Sequence, residues 1–248
     1  MPTNIFNGKK ALVIGGTGGI GKAVALDLAD RGAELVIHGG SSGERLDNTL
    51  SQIRKRGGRA EGFLFPVKDP GDAEKILKFL QPPDILVCAW GPFARSPIES
   101  MNPKLWQSMA NGNLVFPGIL VSLVLPEMLR KKWGRILLFG GTNTDTVRGY
   151  YTSAAYSAAK TGLGVIAKSV AKTAAAIPGE NVGITCNVIC PGLTDTEYLD
   201  ENVLHYNKTL SPGGRPLEPP EISGVCMDIL ENPCVNGAII PVDRGICL

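Results

Sequence analysis

Short apolar runs alternate along this chain with longer stretches in which apolar residues recur at helical spacing. The apolar runs lie at 11–14, 34–37, 85–89, 136–139, 184–190 and 238–242, and a weaker one runs from Glu61 to Phe65. Strands that are buried on both faces read as continuous apolar runs, and the helices between them cover the sheet. The pattern predicts an α/β fold with a parallel sheet between two helical layers, and no linker or repeat divides it.

A glycine-rich run follows the first predicted strand directly. The strand is Lys10–Ile14, the run is Gly15-Gly16-Thr17-Gly18-Gly19-Ile20-Gly21, and Ala23–Ala29 continues with helical spacing. Glycines at this point allow a tight turn, so that backbone amides and the positive helix end can face a pyrophosphate. The run is a candidate dinucleotide site, and the alternative is an ordinary strand-to-helix loop.

Tyr156 and Lys160 stand four residues apart in Tyr-Ser-Ala-Ala-Lys. This separation places both side chains on one face of a helix. An ammonium near a phenol lowers the phenol pKa from its usual value near ~10. The pair is therefore a candidate for proton transfer coupled to hydride chemistry, and the alternative is a solvated helix face.

The composition excludes several classes of function. A formal charge of +2 with 44% hydrophobic residues gives no basic stripe for nucleic acid. Residues 1–10 lack the apolar segment of a signal peptide, and the apolar stretch Gly118–Leu129 is short and contains Pro126. We therefore expect no membrane span, no export and a cytoplasmic location.

Cysteine and histidine residues give no sign of a metal site. The six cysteines form no Cys-x-x-Cys pair, and several fall in predicted strands or helices, where cysteine packs as a small apolar residue. His38 and His205 form no ligand cluster, and structural roles are expected for both.

The order of motifs resembles that of the short-chain dehydrogenase/reductase family along nearly the whole chain, and it is most similar to the 3-oxoacyl-[acyl-carrier-protein] reductases. After the glycine turn and Tyr156/Lys160, the matching segments are Asp84–Val87, Asn113-Leu114, Gly134-Arg135-Ile136, Pro191–Thr196, Gly214-Arg215-Pro216 and Asn236–Asp243. The resemblance implies one Rossmann-type domain over residues 1–248, a three-layer sandwich with a seven-stranded parallel sheet, and a substrate lid at about 193–213. It also implies a homotetramer formed through helices at Pro103–Lys131 and Ser153–Ala176.

The resemblance implies roles for individual residues. Tyr156 would protonate a ketone oxygen, Lys160 would bind the nicotinamide ribose and lower the tyrosine pKa, and Asn113 would hold a water molecule in the proton relay. The residues expected to contact the cofactor are Gly15, Thr17, Gly18, Gly19, Ile20, Gly21, Ser41, Ser42, Arg45, Val67, Ala89, Trp90, Gly91, Tyr156, Lys160, Pro191, Gly192, Thr194 and Thr196.

The end of the second strand favours NADP over NAD. An acidic residue at this point usually accepts hydrogen bonds from the ribose hydroxyls of NAD. This chain instead has Ser41, Ser42 and Arg45, which can meet a 2′-phosphate. The alternative for the two serines is capping of the next helix.

Three positions depart from the family pattern. The serine that binds the substrate oxygen is Gly141 when aligned on the strand, and Asn143 when counted back from Tyr156. Thr142 is the expected replacement, and Asn143, Thr144 and Ser153 are further candidates. The Asn-Asn-Ala-Gly segment is Cys88-Ala89-Trp90-Gly91, where Trp90 either lines the pocket or packs. An acidic residue near the adenine is replaced by Pro66.

Three functions stay open at this stage. The favoured one is NADP-dependent reduction of a 3-oxoacyl thioester. Arg130-Lys131-Lys132 with Lys168 and Lys172 could bind an acidic acyl carrier protein, or they could form a solvated helix end. The second function is oxidation or reduction of a non-thioester alcohol or ketone. The third is a dinucleotide-binding regulatory or partner protein with impaired catalysis.

Overall fold

Seven parallel strands form one sheet at the centre of the molecule. A computed structural model describes residues 5–78, 80–176, 183–198 and 212–246. The strands are β1 Lys10–Ile14, β2 Glu34–Gly39, β3 Arg59–Leu64, β4 Ile85–Cys88, β5 Trp133–Phe139, β6 Gly183–Pro191 and β7 Ile239–Val242. Their spatial order is β3-β2-β1-β4-β5-β6-β7. The predicted Rossmann-type sheet is confirmed.

Helices cover both faces of this sheet. They are α1 Gly19–Asp30, α2 Gly43–Lys55, α3 Asp72–Lys78, α4 Pro103–Ala110, α5 Phe116–Lys131, α6 Ala154–Ala175 and α7 Pro219–Glu231. Successive residues of a strand point to opposite faces. Thus Ala11 and Val13 pack with α1, α2 and α7 in one core, and Leu12 and Ile14 pack with α3, α5 and α6 in the other.

The direction of chain progression reverses between β1 and β4. From β1 the chain moves outward to β2 and β3, and then it returns to β4 on the other side of β1. Ligands bind at such a reversal, in the crevice outside the carboxyl ends of the strands. Gly15 follows β1 and Ala89 follows β4, and the amide of Ala89 donates to the carbonyl of Ile14 at 2.9 Å. The glycine turn after β1 and the loop after β4 therefore meet at this crevice.

The helical segment Pro103–Lys131 is long and apolar enough to cross a membrane by length and composition. It packs as a core helix instead, with Phe116, Leu120 and Val124 buried. The helix α5 continues through Pro126. Proline removes one backbone hydrogen bond there, and the buried packing of Val124 and Met128 favours the helix in spite of this loss.

The lid predicted at 193–213 falls partly outside the described residues, which omit 199–211. Its first part is anchored to the body of the protein, because Thr194 forms a parallel bridge with Leu217. His205, for which a structural role was predicted, also lies outside the described residues, and so does Cys247.

Candidate active site

The turn between β1 and α1 requires glycine at several positions. Gly15 and Gly19 have φ of +76° and +48°, which is the left-handed region. A Cβ on Gly21 would lie 2.3 Å from the carbonyl oxygen of Gly15. Gly18 caps α1 without a side-chain hydrogen bond, so backbone amides face outward at the positive end of the helix. This geometry suits an anion, as the sequence predicted.

Residues 196–198 cover this turn. The amide of Gly19 donates to both carboxylate oxygens of Glu197, at 3.3 and 3.1 Å. The Tyr198 hydroxyl lies against Gly18, and a methyl group of Thr196 lies against Gly19. The sequence predicted contact with the cofactor for Thr196, and it placed Glu197 and Tyr198 only within the lid. A carboxylate therefore occupies the helix end at which a phosphate is expected.

Asn113 lies in a π-helical turn, Asn111–Val115, between α4 and α5. Its amide nitrogen donates to the carbonyls of Pro92 at 2.8 Å and Met109 at 3.1 Å. The Oδ1 atom is buried without a hydrogen-bond partner. It faces Gly91, where a Cβ would lie 2.2 Å from Oδ1 and 3.3 Å from Lys160 Nζ. Asn113 and Lys160 therefore meet at this glycine.

Tyr156 lies above Gly141, and a Cβ on that glycine would be 2.7 Å from the tyrosine hydroxyl. Phe93 packs edge-on against the Tyr156 ring, with centroids 4.8 Å apart. Lys160 Nζ is 5.8 Å from the ring centroid and donates to the Phe139 carbonyl at 2.7 Å. The structure thus brings together Tyr156, Lys160 and Asn113. Sequence reasoning missed Phe93, because a phenylalanine in a loop carries no signal of what it will contact.

The pKa values of the tyrosine and lysine move in opposite directions. Burial, with a smaller effect from Cys190, raises the pKa of Tyr156 to about 12. Burial lowers the pKa of Lys160 to about 8. In this arrangement the ammonium bonds to a carbonyl and the pKa of Tyr156 is not lowered. The lowering of the tyrosine pKa by Lys160 with a dinucleotide bound stays a prediction. Tyr156 is protonated at neutral pH and can donate a proton.

The four candidates for the missing serine all bond to other groups. The Thr142 hydroxyl donates to the Pro191 carbonyl at 3.1 Å, and the side chain of Asn143 accepts from Arg148 at 3.4 Å. Thr144 is bonded to the backbone of Gly141, and the Ser153 hydroxyl lies 3.2 Å from that of Ser157. A catalytic role for Thr142 stays a prediction, since its hydroxyl must leave the Pro191 carbonyl to reach a substrate.

The loop after β2 combines capping with a possible phosphate contact. The Ser42 hydroxyl caps α2 by accepting from the Arg45 amide at 3.3 Å, which is the alternative considered for the serines. The Arg45 guanidinium carbon lies 5.1 Å from the centroid of the Tyr198 ring. Thr17 packs against Gly39 at the end of β2. Arg45 is therefore on the same side of the turn as the lid residue Tyr198.

Trp90 packs and lines a cavity at the same time. Its ring meets Phe116 edge-on with centroids 5.4 Å apart, and its Cβ lies close to Gly15. A cavity of about 310 Å³ lies between the loops after β3 and β4, with Val67 and Trp90 in its lining. Both alternatives for Trp90 thus describe part of its environment.

The segment after β6 is held by internal bonds. The Gly192 amide donates to the Val242 carbonyl at 2.9 Å, and the buried Thr194 hydroxyl donates to the Gly192 carbonyl at 2.9 Å. This places Pro191 to Thr196 beside the glycine turn, where Thr196 contacts Gly19. Its contact with a cofactor stays a prediction.

Comparison with known proteins agrees with this geometry. The family model described as short chain dehydrogenase matches residues 9–207. The chain belongs to the short-chain dehydrogenase/reductase family. Two solved structures that it resembles, at 26% and 28% identity, were determined with NADP bound.

Its relatives within the short-chain dehydrogenases differ in substrate. The 2-dehydro-3-deoxy-D-gluconate 5-dehydrogenase of Formosa agariphila is 28% identical over 99% of this chain and 96% of that protein. The 3-oxoacyl-[acyl-carrier-protein] reductase of Escherichia coli is 33% identical over 77% of this chain and 76% of that protein. A 3-oxoacyl (acyl-carrier-protein) reductase from Agrobacterium tumefaciens, solved with NADP bound, gives a TM-score of 0.85 at 26% identity and covers 97% of this chain and 95% of that one.

The residues of this short-chain dehydrogenase fit a dinucleotide. The turn is closed to any side chain at Gly21 and presents helix amides, and Asn113 Oδ1 is a buried acceptor without a partner. Lys160 lies at the same glycine as Asn113. Glu197 opposes binding, because its carboxylate must leave the Gly19 amide before a phosphate can take that position.

We expect Glu197→Gln to bind NADPH about tenfold more tightly than the wild type. Hydrogen bonds to a charged group are stronger by about 1–1.5 kcal/mol than those to a neutral one, so the amide is displaced more easily. Calorimetric titration with NADPH measures the change. Glu74→Gln, at an exposed position on α3, is the control with the same change in net charge. Unchanged or weaker binding by Glu197→Gln would contradict the competition.

Charged and cysteine residues outside the glycine turn have defined surroundings. In the predicted carrier-protein patch, Arg130 pairs with Glu127 at 2.6 Å and Lys131 with Asp84 at 2.8 Å. A carrier-protein patch and its alternative, a solvated helix end, both stay predictions. Cys88, Cys186, Cys190 and Cys226 are free and buried, as predicted for packing residues. Within the described part of the chain, no group of three or more potential ligands could hold a metal ion.

Proposed function

We propose that this protein is an NADP-dependent reductase that converts a ketone to a secondary alcohol, with a 3-oxoacyl thioester as the favoured substrate. The observation that carries the proposal is the meeting of Lys160 Nζ and Asn113 Oδ1 at Gly91, with Lys160 Nζ also 5.8 Å from the centroid of the Tyr156 ring. A bound NADPH would supply the hydride. The protein supplies position and a proton donor.

Each residue has a separate task in this proposal. Tyr156 donates its phenolic proton to the carbonyl oxygen, since burial keeps the phenol protonated at neutral pH. Lys160 binds the ribose hydroxyls and lies against the face of the tyrosine ring. Asn113 Oδ1 accepts a hydrogen bond in the relay that returns a proton to Tyr156. Phe93 covers the tyrosine ring and limits its motion.

The thioester is favoured by the similarity to two 3-oxoacyl-[acyl-carrier-protein] reductases, one of which was solved with NADP bound. A second candidate is a sugar-acid dehydrogenase, supported by the Formosa agariphila relative, which matches nearly the whole chain. The third, a regulatory protein that binds a dinucleotide without turnover, draws support only from Gly141 and Trp90. We also propose NADP over NAD, a homotetramer and a cytoplasmic location.

The test compares two reactions with the same purified protein. One follows NADPH oxidation with an acetoacetyl thioester, and the other follows NADP⁺ reduction with 2-keto-3-deoxygluconate; each is repeated with the unphosphorylated cofactor. Turnover of the thioester with NADPH supports the proposal. Turnover of the sugar acid alone supports the second candidate, and NADPH binding without turnover of either favours a different ketone or alcohol substrate or the third candidate.

Arg45 is expected to set the preference for NADP. We expect Arg45→Met to weaken NADPH binding by about tenfold, because one charge-assisted bond to the 2′-phosphate is lost. Binding of NADH should stay within about twofold, since NADH lacks that phosphate. Fluorescence titration of both cofactors measures the difference. An equal loss for both would mean that Arg45 acts through Tyr198, over which it packs.

We expect Gly141→Ser to lower reductase activity by at least about tenfold, although it restores the residue common in the family. Its Cβ would lie 2.7 Å from the Tyr156 hydroxyl and 2.9 Å from Cε1, so the ring must move away from its present position. Steady-state kinetics with the acetoacetyl thioester measure the effect. Gly149→Ser is the control in the same loop, because a Cβ there meets nothing within 4 Å. An increase in kcat for Gly141→Ser would show that the tyrosine can adjust.

A further inference from the structure

His38 is buried at the end of β2, and both of its ring nitrogens are hydrogen-bonded. Nδ1 lies 3.3 Å from the amide nitrogen of Gly15, and Nε2 lies 2.8 Å from the carbonyl oxygen of Phe65. The side chain has 0% exposure, so water does not replace either partner. A carbonyl only accepts and an amide N–H only donates. Nε2 must therefore carry the proton and Nδ1 must be free of one, which fixes a single neutral tautomer.

The same residue holds two successive amides of the glycine turn. Its ring accepts from the Gly15 amide, and its own carbonyl accepts from the Gly16 amide at 3.1 Å. Gly15 is the residue with φ of +76° whose carbonyl oxygen closes over Gly21. The position of Gly15 therefore sets the shape of the turn, and His38 sets the position of Gly15.

We propose that His38 is a positioning residue for the phosphate-binding turn, and that protonation of its Nδ1 releases the turn and weakens dinucleotide binding. The inference rests on the dinucleotide binding proposed above. A protonated Nδ1 would direct an N–H at the N–H of Gly15, and one buried donor would lose its partner. Such a loss corresponds to about tenfold in binding.

The surroundings of the ring keep it neutral at ordinary pH. Burial lowers the pKa of His38 from its usual 6.5, and the Phe65 carbonyl opposes this with a smaller effect. The groups that face the ring are the Gly15 amide from the glycine turn, and the Phe65 carbonyl and Phe63 ring from β3 and the loop after it; the Phe63 centroid is 5.4 Å away. No carboxylate or ammonium of the described residues contributes to its pKa shift. The turn is therefore intact at neutral pH and is released only in acid.

The chain allows a direct reading of this tautomer, since it has only two histidines. His205→Gln leaves His38 as the one histidine signal in a ¹⁵N-edited NMR spectrum. We expect an unprotonated Nδ1 and a protonated Nε2 at about pH 7, with conversion to the doubly protonated ring at a pH below the usual histidine pKa of 6.5, because burial lowers the pKa of His38. A protonated Nδ1 at neutral pH would overturn the proposal without reference to any ligand.

The functional test is the dissociation constant of NADPH from about pH 7.5 to about pH 5.5 in wild type, His38→Asn and His38→Leu. The amide oxygen of asparagine can accept from Gly15 and does not titrate, so we expect near-wild-type affinity at pH 7.5. Between about pH 7.5 and about pH 5.5, the Kd of His38→Asn for NADPH should also rise about tenfold less than the Kd of the wild type. Leucine removes the acceptor, and we expect binding about tenfold weaker than the wild type at pH 7.5, with the difference lost in acid, where the wild-type ring no longer accepts from Gly15. The 2′-phosphate of NADPH titrates in this range too, but equally for all three proteins.

The outcomes separate this proposal from the proposed function. Equal pH dependence in wild type and His38→Asn overturns the role of His38 and leaves NADPH binding intact. Absence of NADPH binding to every form at every pH overturns the dinucleotide assignment and the inference together. If His38→Leu does not fold, the comparison of wild type with His38→Asn and the tautomer spectrum still decide.

Discussion

Tyr156→Phe is expected to lower kcat for ketone reduction by about 10²- to 10⁴-fold while NADPH binding stays within about twofold. The change removes one oxygen atom, which is the only proton donor assigned to the substrate oxygen. The phenyl ring can keep its edge-on contact with Phe93. Kinetics with the acetoacetyl thioester and titration with NADPH measure the two effects separately.

Tyr151→Phe is the matched control for this experiment. Tyr151 is 79% exposed and lies five positions before Tyr156 in the same region. The kcat of Tyr151→Phe should therefore equal that of the wild type. If Tyr156→Phe keeps more than about a tenth of wild-type kcat, another group donates the proton. The Thr142 hydroxyl would then be the first candidate to replace.

Lys160→Met is expected to stabilise the fold by about 1–2 kcal/mol at pH 7 while it removes most of the activity. A pKa lowered from 10.5 to about 8 corresponds to about 3 kcal/mol of destabilisation when the buried lysine is charged. Methionine has a similar length and avoids this destabilisation, but the bond to the Phe139 carbonyl is lost, which costs about 1–2 kcal/mol. Urea unfolding gives the free energy of unfolding of both proteins.

The pH dependence of this difference gives the sharper test. Between about pH 8 and about pH 10.5 the native lysine is neutral while the unfolded one still binds a proton. The unfolded state then binds more protons, so wild-type stability rises with pH through this range. We expect the difference in free energy of unfolding between Lys160→Met and the wild type to shrink over this range. For the exposed Lys168→Met, the same difference should stay near zero at every pH. A constant advantage would mean that Lys160 is not the titrating group.

The sheet could be predicted from the sequence because most of its strands are buried on both faces and read as apolar runs. β3 gave the weakest signal for a physical reason: it is an edge strand, and most of its residues are exposed. Its predicted span of 61–65 was displaced from the observed Arg59–Leu64. The π-helical turn at Asn113 could not be predicted, since its composition does not differ from that of an ordinary helix.

The site could be predicted where its residues are close in sequence. The glycine turn and the spacing of Tyr156 and Lys160 are local patterns that imply a local geometry. Glu197 meets Gly19 across 178 positions, and His38 meets Gly15 across 23. Such contacts depend on how whole helices and strands pack, and a local sequence pattern does not predict them. The same limit applies to the pKa of Tyr156, which burial sets rather than its spacing from Lys160.

The contact between Gly141 and the Tyr156 hydroxyl makes the two positions interdependent. A serine at 141 is unfavourable here because a hydroxyl already stands at the tip of residue 156. The effect of a change at one position therefore depends on the residue at the other, and the two effects do not add. We therefore expect a single substitution from this sequence toward the common family pattern to give a less active protein. The glycine can be retained for this reason alone, whether or not it benefits the reaction.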